Sequence, residues 1–286
     1  MKSDRRNCDL SFSNLCSWRF LYDTQYAVID NFLVFKFWAG EQLAYMMPVG
    51  SGDLKAVLRE LIEDADKEKH NFCMLGVCSN MRADLEAILP GQFTFTENRD
   101  YADYIYLRSD LATLKGKKFQ AERNHINRFR NTYPDYEYTP ITPDRIQECL
   151  DLEAEWCKVN NCDQQEGTGN ERRALIYALH NFEALGLTGG ILHVNGKIVA
   201  FTFGMPINHE TFGVHVEKAD TNIDGAYAMI NNEFANHIPE QYIYINREED
   251  LGLEGLRKAK LSYQPVTILE KYMACLKDHP MDIIRW

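Results

Sequence analysis

Charged side chains crowd into one stretch near the end of the 286-residue chain, NREEDLGLEGLRKAKLSY over residues 246–263. Alternating residues at 242–246 predict a strand that ends there, and Gly252 and Gly255 precede a short basic helix. Loops after sheet strands are where α/β proteins place ligands, and glycine lets a ligand approach the backbone. The stretch therefore predicts a functional site, with candidate residues Arg247, Glu248, Asp250, Arg257, Lys260 and Tyr263.

Two cations of this stretch could bind an anion together. Arg257 and Lys260 are three residues apart and share a helix face, which suits a phosphate or a carboxylate. The alternative is structural, because cations near a helix C-terminus are favoured by less than about 1 kcal/mol each. Arg247 with Glu248 or Asp250 could likewise form an ion pair that serves only the fold. The sequence leaves both interpretations open.

A second group of candidates lies just upstream. In the predicted strand at 212–218, alternation puts His215 and Glu217 on one face and Phe212, Val214 and Val216 on the other. A histidine beside a carboxylate can transfer protons, although a purely structural histidine is the alternative. The following loop contains Asn222 and leads into a helix whose first N–H groups form a candidate anion site.

Residues 115–130 reverse the overall charge of the chain. Read as a helix, they place Phe119, Ile126 and Phe129 on one stripe and polar side chains on the other side. The polar side could hold an anion, or it could be the solvated face of a helix that joins two domains. The candidate ligand-binding residues here are Lys118, Arg123, Asn124 and Arg128.

Periodicity along the chain predicts a mixed α/β protein. The first half reads β-β-β-α-β-α-β, and the second half continues with a strand, two helices and a three-stranded meander. Asn195–Gly196 predicts a two-residue hairpin turn within that meander. The length suits two domains, which we place at residues 1–132 and 133–286.

Composition excludes several classes of protein. The formal net charge of −11 argues against broad coating of nucleic acid or anionic membrane, so an anionic ligand needs a local basic patch. No apolar run approaches the roughly 20 residues of a membrane helix, and no signal peptide opens the chain, which predicts a soluble cytoplasmic protein. The eight cysteines are expected to be reduced and mostly buried, and Cys157 and Cys162 lack the partners of a zinc site.

Two motifs carry a family resemblance. LKGKKFQAERNHINRFRNTYPDYEY and INREEDLGLEGLRKAKLSYQP resemble the family named for the C-terminal domain of phosphatidylglycerol lysyltransferase, over nearly the whole chain. This resemblance implies two tandem acetyltransferase-like (GNAT) domains with mixed central sheets, similar also to the Fem transferases that use aminoacyl-tRNA. It assigns no chemical roles to individual residues.

The resemblance implies an acyl- or aminoacyl-transferase that uses an aminoacyl-tRNA or an acyl-CoA donor and an amine or hydroxyl acceptor. On that hypothesis, the cations neutralise a phosphate-bearing donor, Glu217 or Glu248 orients or deprotonates the acceptor, and Tyr263 protonates the leaving group. The turn at 222–227 keeps one glycine of the coenzyme A motif but lacks its basic residue. The alternative function is a non-enzymatic module that binds a nucleotide, a phospholipid head group or RNA.

Overall fold

The computed structural model describes residues 5–160 and 166–277, which form two compact units. The first unit comprises residues 18–103 and the strand that follows residue 268, and the second comprises residues 5–17 and 104–268. This division differs from the expected boundary after residue 132. Residues 104–132 lie in the second unit because the strand Asp103–Leu107 pairs in the second sheet. The strand Tyr272–Leu276 lies in the first unit because it pairs in the first sheet.

The first unit is a mixed sheet of seven described strands with helices packed on it. Its strand order is β1-β2-β3-β5-β14-β6, and β4 pairs with β2. Buried side chains at helical spacing on α3, such as Val57, Leu61 and Ile62, attach that helix, and Asp53 caps its N-terminus. The elements are α2 (Arg19–Tyr22), β1 (Gln25–Ile29), β2 (Phe32–Ala39), β3 (Gln42–Tyr45), β4 (Val49–Gly50), α3 (Leu54–Lys67), β5 (Cys73–Val77), α4 (Ser79–Ile88), β6 (Phe93–Glu97) and β14 (Tyr272–Leu276).

A disulfide bond joins β5 to β14. Cys73 and Cys275 face each other across the two antiparallel strands and are bonded, 202 residues apart in sequence. The expectation that all cysteines are reduced is therefore wrong for this pair, because no local spacing pattern marks two cysteines that only the fold brings together. The described cysteines outside this bond are Cys8, Cys16, Cys78, Cys149 and Cys157, and Cys162 lies outside the described residues.

The second unit contains the other mixed sheet, with the order β13-β7-β12-β11-β10-β9-β8. The Asn195–Gly196 turn joins β9 to β10 with positive φ at both residues (52° and 72°), as predicted for a tight hairpin. The elements are α1 (Phe12–Ser17), β7 (Asp103–Leu107), α5 (Arg108–Thr113), α6 (Gln120–Thr132), β8 (Glu137–Pro140), α7 (Ile146–Asn160), α8 (Glu166–His180), β9 (Thr188–Val194), β10 (Lys197–Pro206), β11 (Thr211–Ala219), α9 (Ala226–His237), β12 (Tyr244–Asn246), α10 (Glu254–Ser262) and β13 (Thr267–Leu269).

Helices cover both faces of this second sheet. On one face, Phe212 and Val214 of β11 pack with Phe234 of α9, and on the other, Phe201 and Phe203 of β10 pack with residues of α7 and α8. The basic helix α6 attaches to the α9 side through its predicted stripe of Phe119, Ile126 and Phe129, which is buried. Across the described ranges, no helix is long and apolar enough to cross a membrane.

Candidate functional site

Two parallel strands of the second unit separate shortly after they meet. Within the described residues, β11 and β12 pair only from Thr211–Tyr244 to Gly213–Asn246. Beyond that point β11 continues through His215, Glu217 and Lys218, while the chain leaves β12 into the charged turn. Polar groups therefore gather where the pairing ends, as ligand sites do in sheets whose parallel strands part.

A β-bulge at His215 changes the orientation of the strand. Val214 pairs with Gly204 and Val216 with Phe203 of β10, so His215 has no partner in the register. Val214 packs toward α9, whereas Val216 packs toward α7 and α8. The predicted alternation is thus wrong beyond Val214, and Glu217 contacts α9 instead of sharing a face with His215.

Glu217 and Arg247 form a buried ion pair at the point of separation. Their side chains are 2.9 Å apart, and each is only 13% exposed. Asn231 of α9 donates a hydrogen bond from Nδ2 to the second Glu217 oxygen at 3.2 Å. Burial alone would lower the pKa of Arg247, but the interactions with Glu217, Tyr106 and Tyr263 together outweigh it and the pKa is raised. Arg247 is therefore held as a cation inside the unit.

Two tyrosine rings flank this guanidinium. The Arg247 Cζ atom lies 5.0 Å from the ring centre of Tyr263 and 5.7 Å from that of Tyr106, within cation–π range. Burial raises the pKa of Tyr263, so its hydroxyl keeps its proton at neutral pH. Tyr263 also packs against the core cluster that contains Phe119 and Phe129, which links the site to α6.

Glu217, Arg247, Asn231, Tyr106 and Tyr263 form a buried cluster, and two of its atoms lack the hydrogen bonds that buried polar groups normally make. Arg247 Nη1, a donor, and Asn231 Oδ1, an acceptor, are buried and have no partner in the part of the chain that is described. An unsatisfied buried polar atom costs about 1–3 kcal/mol, and such atoms often mark a place where a ligand or water supplies the missing bond. The cluster thus offers one donor and one acceptor beside a carboxylate.

The charged turn after β12 is held by its own side chains. Asp250, which is fully buried, accepts two hydrogen bonds from Arg257 at 2.7 and 2.8 Å and one from Tyr104. These bonds, the Arg257 pair first, hold the pKa of Asp250 well below its usual range. Lys260 donates to the carbonyl oxygens of Arg247 and Glu249. Contacts of this kind support the structural interpretation of the turn, and ligand binding by Arg257, Lys260 and Asp250 stays a prediction.

The candidates on the basic helix and the loop before it are more exposed. Lys118 lies 2.9 Å from Asp110, and Arg123 donates to the carbonyls of Leu114 and Gly116. Asn124 accepts a hydrogen bond from Gln120. The exposure of Lys117, Ala121, Asn124 and Arg128 agrees with the predicted polar side of this helix.

The loop before α9 is closed by local contacts. Asn222 donates to Asp220, and Asp224, immediately before the N-cap Gly225, pairs with Arg128 at 2.6 Å. A side-chain carbon at Gly225 would lie 2.8 Å from the His125 carbonyl oxygen, so the backbone of α6 packs directly against the start of α9. An acidic residue and a neighbouring helix thus occupy the end of α9 that would otherwise attract an anion.

Sequence reasoning missed two residues of the buried cluster, Tyr106 and Asn231. The strand β7, which carries Tyr106, was not among the predicted elements because its apolar run is short. Asn231 had a usable signal, since asparagine is a poor helix former and here stands in the middle of a buried helix face.

Comparison with known proteins shows what this chain is similar to. A crystal structure of a conserved protein from Bacteroides thetaiotaomicron VPI-5482 is 95% identical and superimposes with a TM-score of 0.95, covering 97% of this chain and 94% of that one. A curated relative from Mycoplasmoides gallisepticum is 25% identical over 175 residues, which is 60% of this chain. The match spans about half (55%) of that relative's length.

More distant structures share the fold. The C-terminal domain of a putative lysylphosphatidylglycerol synthetase from Agrobacterium fabrum has a TM-score of 0.71 at 13% identity, covering 96% of this chain and 88% of that one. L-PGS from Bacillus licheniformis has a TM-score of 0.64 at 17% identity, covering 99% and 96%. The expected fold class, an α/β protein with two mixed sheets, is confirmed. Residues 1–275 match the family described as phosphatidylglycerol lysyltransferase, C-terminal, and the chain belongs to that family.

Proposed function

We propose that this protein transfers an aminoacyl group from a phosphate-bearing donor to an amine or hydroxyl acceptor, at the buried cluster where β11 and β12 separate. The observation that carries the proposal is the pair of unsatisfied atoms, Arg247 Nη1 and Asn231 Oδ1, beside the Glu217 carboxylate. Family membership supports transferase chemistry in general, because relatives include a putative lysylphosphatidylglycerol synthetase.

The cluster matches the polar groups of an aminoacyl ester. Arg247 Nη1 can donate to the ester carbonyl oxygen, where negative charge develops when a nucleophile attacks. Asn231 Oδ1 and Glu217 can accept hydrogen bonds from the α-ammonium group, which a simple acyl chain lacks. Because the Glu217–Arg247 pair is buried, these interactions take place in a medium of low dielectric constant, where they are stronger than in water. This complementarity favours an aminoacyl donor over an acetyl donor.

Proton transfer to the leaving group falls to Tyr263. Its hydroxyl stays protonated at neutral pH because burial raises its pKa, so it can donate to the departing oxygen. Glu248 orients the acceptor side of the reaction, and Glu217 orients the donor's amino group. These roles make Glu217 and Tyr263 the proposed catalytic residues and Glu248 a proposed positioning residue.

The phosphates of the donor are proposed to lie along the exposed side of α6. Lys118 and Arg128 are the proposed contacts, with Arg123, Asn124 and Asn222 shaping the surface around them. A long polyanion such as tRNA suits this patch, since the rest of an acidic chain would repel it. Coenzyme A fits less well, because Asp224 and the α6 backbone occupy the start of α9.

A transfer assay tests the proposal. The probes are bulk tRNA charged with radiolabelled amino acids and, separately, labelled acetyl-CoA, each with hydroxylamine as the acceptor. We expect hydroxamate to form faster than the uncatalysed background with aminoacyl-tRNA and not with acetyl-CoA. Asn231→Leu should lower kcat about 100-fold, because without the acceptor for the α-ammonium group the ester carbonyl is no longer held in place at Arg247.

Arg128→Gln should act differently, raising KM for tRNA several-fold with little change in kcat, since an exposed cation contributes mainly to binding. Binding of tRNA without any turnover would instead support the non-enzymatic module, for which the exposed basic face of α6 would suffice. Turnover of acetyl-CoA alone would show that the aminoacyl assignment is wrong.

A further inference from the structure

His215 is the residue that the strand pairing leaves out. It is the bulged residue of β11, between the Gly204–Val214 and Phe203–Val216 pairs, and it lies two residues beyond the last β11–β12 pair. Bulges next to functional sites redirect a side chain that regular pleating would point elsewhere. Here the bulge turns His215 toward the first residues after β12.

A carboxylate and an amide hold the imidazole in place. His215 Nδ1 lies 2.7 Å from Glu248 Oε1, and Asn14 Nδ2 donates to the same oxygen at 2.8 Å. The His215 side chain is 4% exposed and that of Glu248 is 20% exposed. Because an ionised carboxylate only accepts hydrogen bonds, the Nδ1 atom carries the proton in this arrangement.

The backbone of Glu248 is also fixed in an unusual conformation. Its φ is +60°, in the left-handed region that a non-glycine residue adopts only when its surroundings hold it there. Asn246 Oδ1 supplies part of that hold by accepting a hydrogen bond from the Glu248 N–H at 2.7 Å. The chain therefore uses a strained residue to bring this carboxylate to His215.

The remaining nitrogen of the ring has no partner. His215 Nε2 is buried and makes no hydrogen bond within the described ranges. With the proton fixed on Nδ1, Nε2 presents a lone pair. A histidine whose Nδ1 is held by a carboxylate and whose Nε2 is open is the arrangement that accepts a proton from a nucleophile.

We infer that His215 Nε2 is the proton acceptor for the attacking group, with Glu248 and Asn14 as positioning residues; the inference rests on the proposed transferase function. The acceptor's N–H or O–H gives its proton to Nε2 as its heteroatom bonds to the donor carbonyl carbon. The bond between the carbonyl carbon and the donor's ester oxygen then breaks, and the leaving oxygen takes the proton of the Tyr263 hydroxyl. His215 afterwards releases the acceptor's proton to solvent and Tyr263 regains one, so both side chains are restored. One aminoacyl group moves, and no redox partner is required.

The first test reads the tautomer of the ring and needs no activity. In protein labelled with 15N-histidine, we expect His215 to show a protonated Nδ1 and an unprotonated Nε2. Glu248→Gln should disturb that pattern, because the amide can donate as well as accept. A proton on Nε2 in the wild-type protein would overturn the inference and leave the proposed function standing.

The second test compares two acceptors with the aminoacyl-tRNA donor. Attack by water needs a base, whereas hydroxylamine is a strong nucleophile without one, so His215→Ala should slow enzyme-dependent hydrolysis about 100-fold and hydroxylamine transfer much less. Added imidazole should restore part of the hydrolysis. A merely structural histidine would slow both reactions equally and show no rescue, which would overturn the inference.

A matched control is His193 on β9, whose Nε2 lies 2.7 Å from Glu148 but which stands apart from the strand separation. His193→Gln should leave the ratio of the two reactions unchanged. If the wild-type protein accelerates neither reaction, the proposed function fails and the inference fails with it. If it accelerates only hydroxylamine transfer, His215 does not activate the acceptor and the inference alone fails.

Discussion

At the level of single residues, burial distinguishes the ion pair of the proposed site from the ion pairs on the surface. Glu217–Arg247 is almost completely enclosed, whereas Arg128–Asp224 has a similar distance but side chains 61% and 58% exposed. A buried charge left without its partner is costly, while an exposed pair is worth little. On the proposed function, the first pair recognises the acyl group and the second attracts phosphates at long range.

Glu217→Gln should therefore destabilise the protein by about 3 kcal/mol, because it leaves the Arg247 cation buried and unneutralised. Urea unfolding measures this free energy. The control Asp224→Asn, in the exposed pair, should cost less than about 1 kcal/mol. Equal losses in the two variants would show that Arg247 is solvated in the native state.

At the scale of elements, the charged turn and α10 act as a scaffold that sets the position of Arg247 and Glu248. Lys260 bonds to the Arg247 carbonyl, and Arg257 secures Asp250. Sequence reasoning located this segment but could not separate ligand-binding cations from structural ones, because that distinction depends on which carboxylates and carbonyls the fold brings within reach. Similarly, alternation predicted the strand β11 but not the bulge at His215, which has no residue signature of its own.

Arg257→Ala should cost about 3 kcal/mol at pH 7, since it leaves the buried Asp250 carboxylate without its main partner. The pKa of Asp250 is lower in the folded protein than in the unfolded chain. Its contribution to the free energy of unfolding is therefore complete above the ordinary pKa of about 4, and it is lost as the pH falls through the folded-state pKa. The gap between wild type and variant should thus shrink from pH 7 to pH 2. Urea unfolding across that range checks it, with the exposed neighbour Lys258→Ala as the control, expected to change stability by less than about 0.5 kcal/mol. A gap independent of pH would contradict the assignment.

Two glycines of the second unit should respond oppositely to alanine. Gly225 has φ +82° and no room for a side-chain carbon beside His125, so Gly225→Ala should destabilise by about 1–3 kcal/mol. Gly255, within α10, has open space around it, so Gly255→Ala should stabilise by about 0.5–1 kcal/mol. Thermal unfolding of both variants tests the packing of α6 on α9, and a neutral Gly225→Ala would show that this packing is loose.

At the scale of the whole molecule, the sequence predicted two mixed sheets but not how the chain is shared between them. Local periodicity identifies helices such as α9, predicted to follow the Asn222 loop and observed at Ala226–His237, because the pattern lies within one element. Strand partners that are far apart in sequence leave no such pattern. The strand β7 joins the second sheet and β14 joins the first, where the Cys73–Cys275 bond links it covalently to β5.

That bond should make the stability of the protein sensitive to reductant. Closing a loop of 202 residues restricts the unfolded chain, which chain-entropy reasoning values at about 5 kcal/mol. Added reductant should lower the Tm of the wild type. Cys275→Ser, which cannot form the bond, should show this lowered Tm both with and without reductant. The control Cys16→Ser should keep the wild-type response. If reductant does not change the Tm of the wild type and both thiols react with an alkylating reagent, Cys73 and Cys275 are not bonded.

The proposal that the buried cluster receives an aminoacyl ester can be checked in a crystal structure with a stable analogue. The analogue is an adenosine whose 3′ position carries an amino acid through an amide, in place of the labile ester. We predict its carbonyl oxygen within about 3.2 Å of Arg247 Nη1, and its ammonium group on Asn231 Oδ1 and Glu217. An analogue bound elsewhere on the protein, or absent from crystals soaked at millimolar concentration, would contradict the claim.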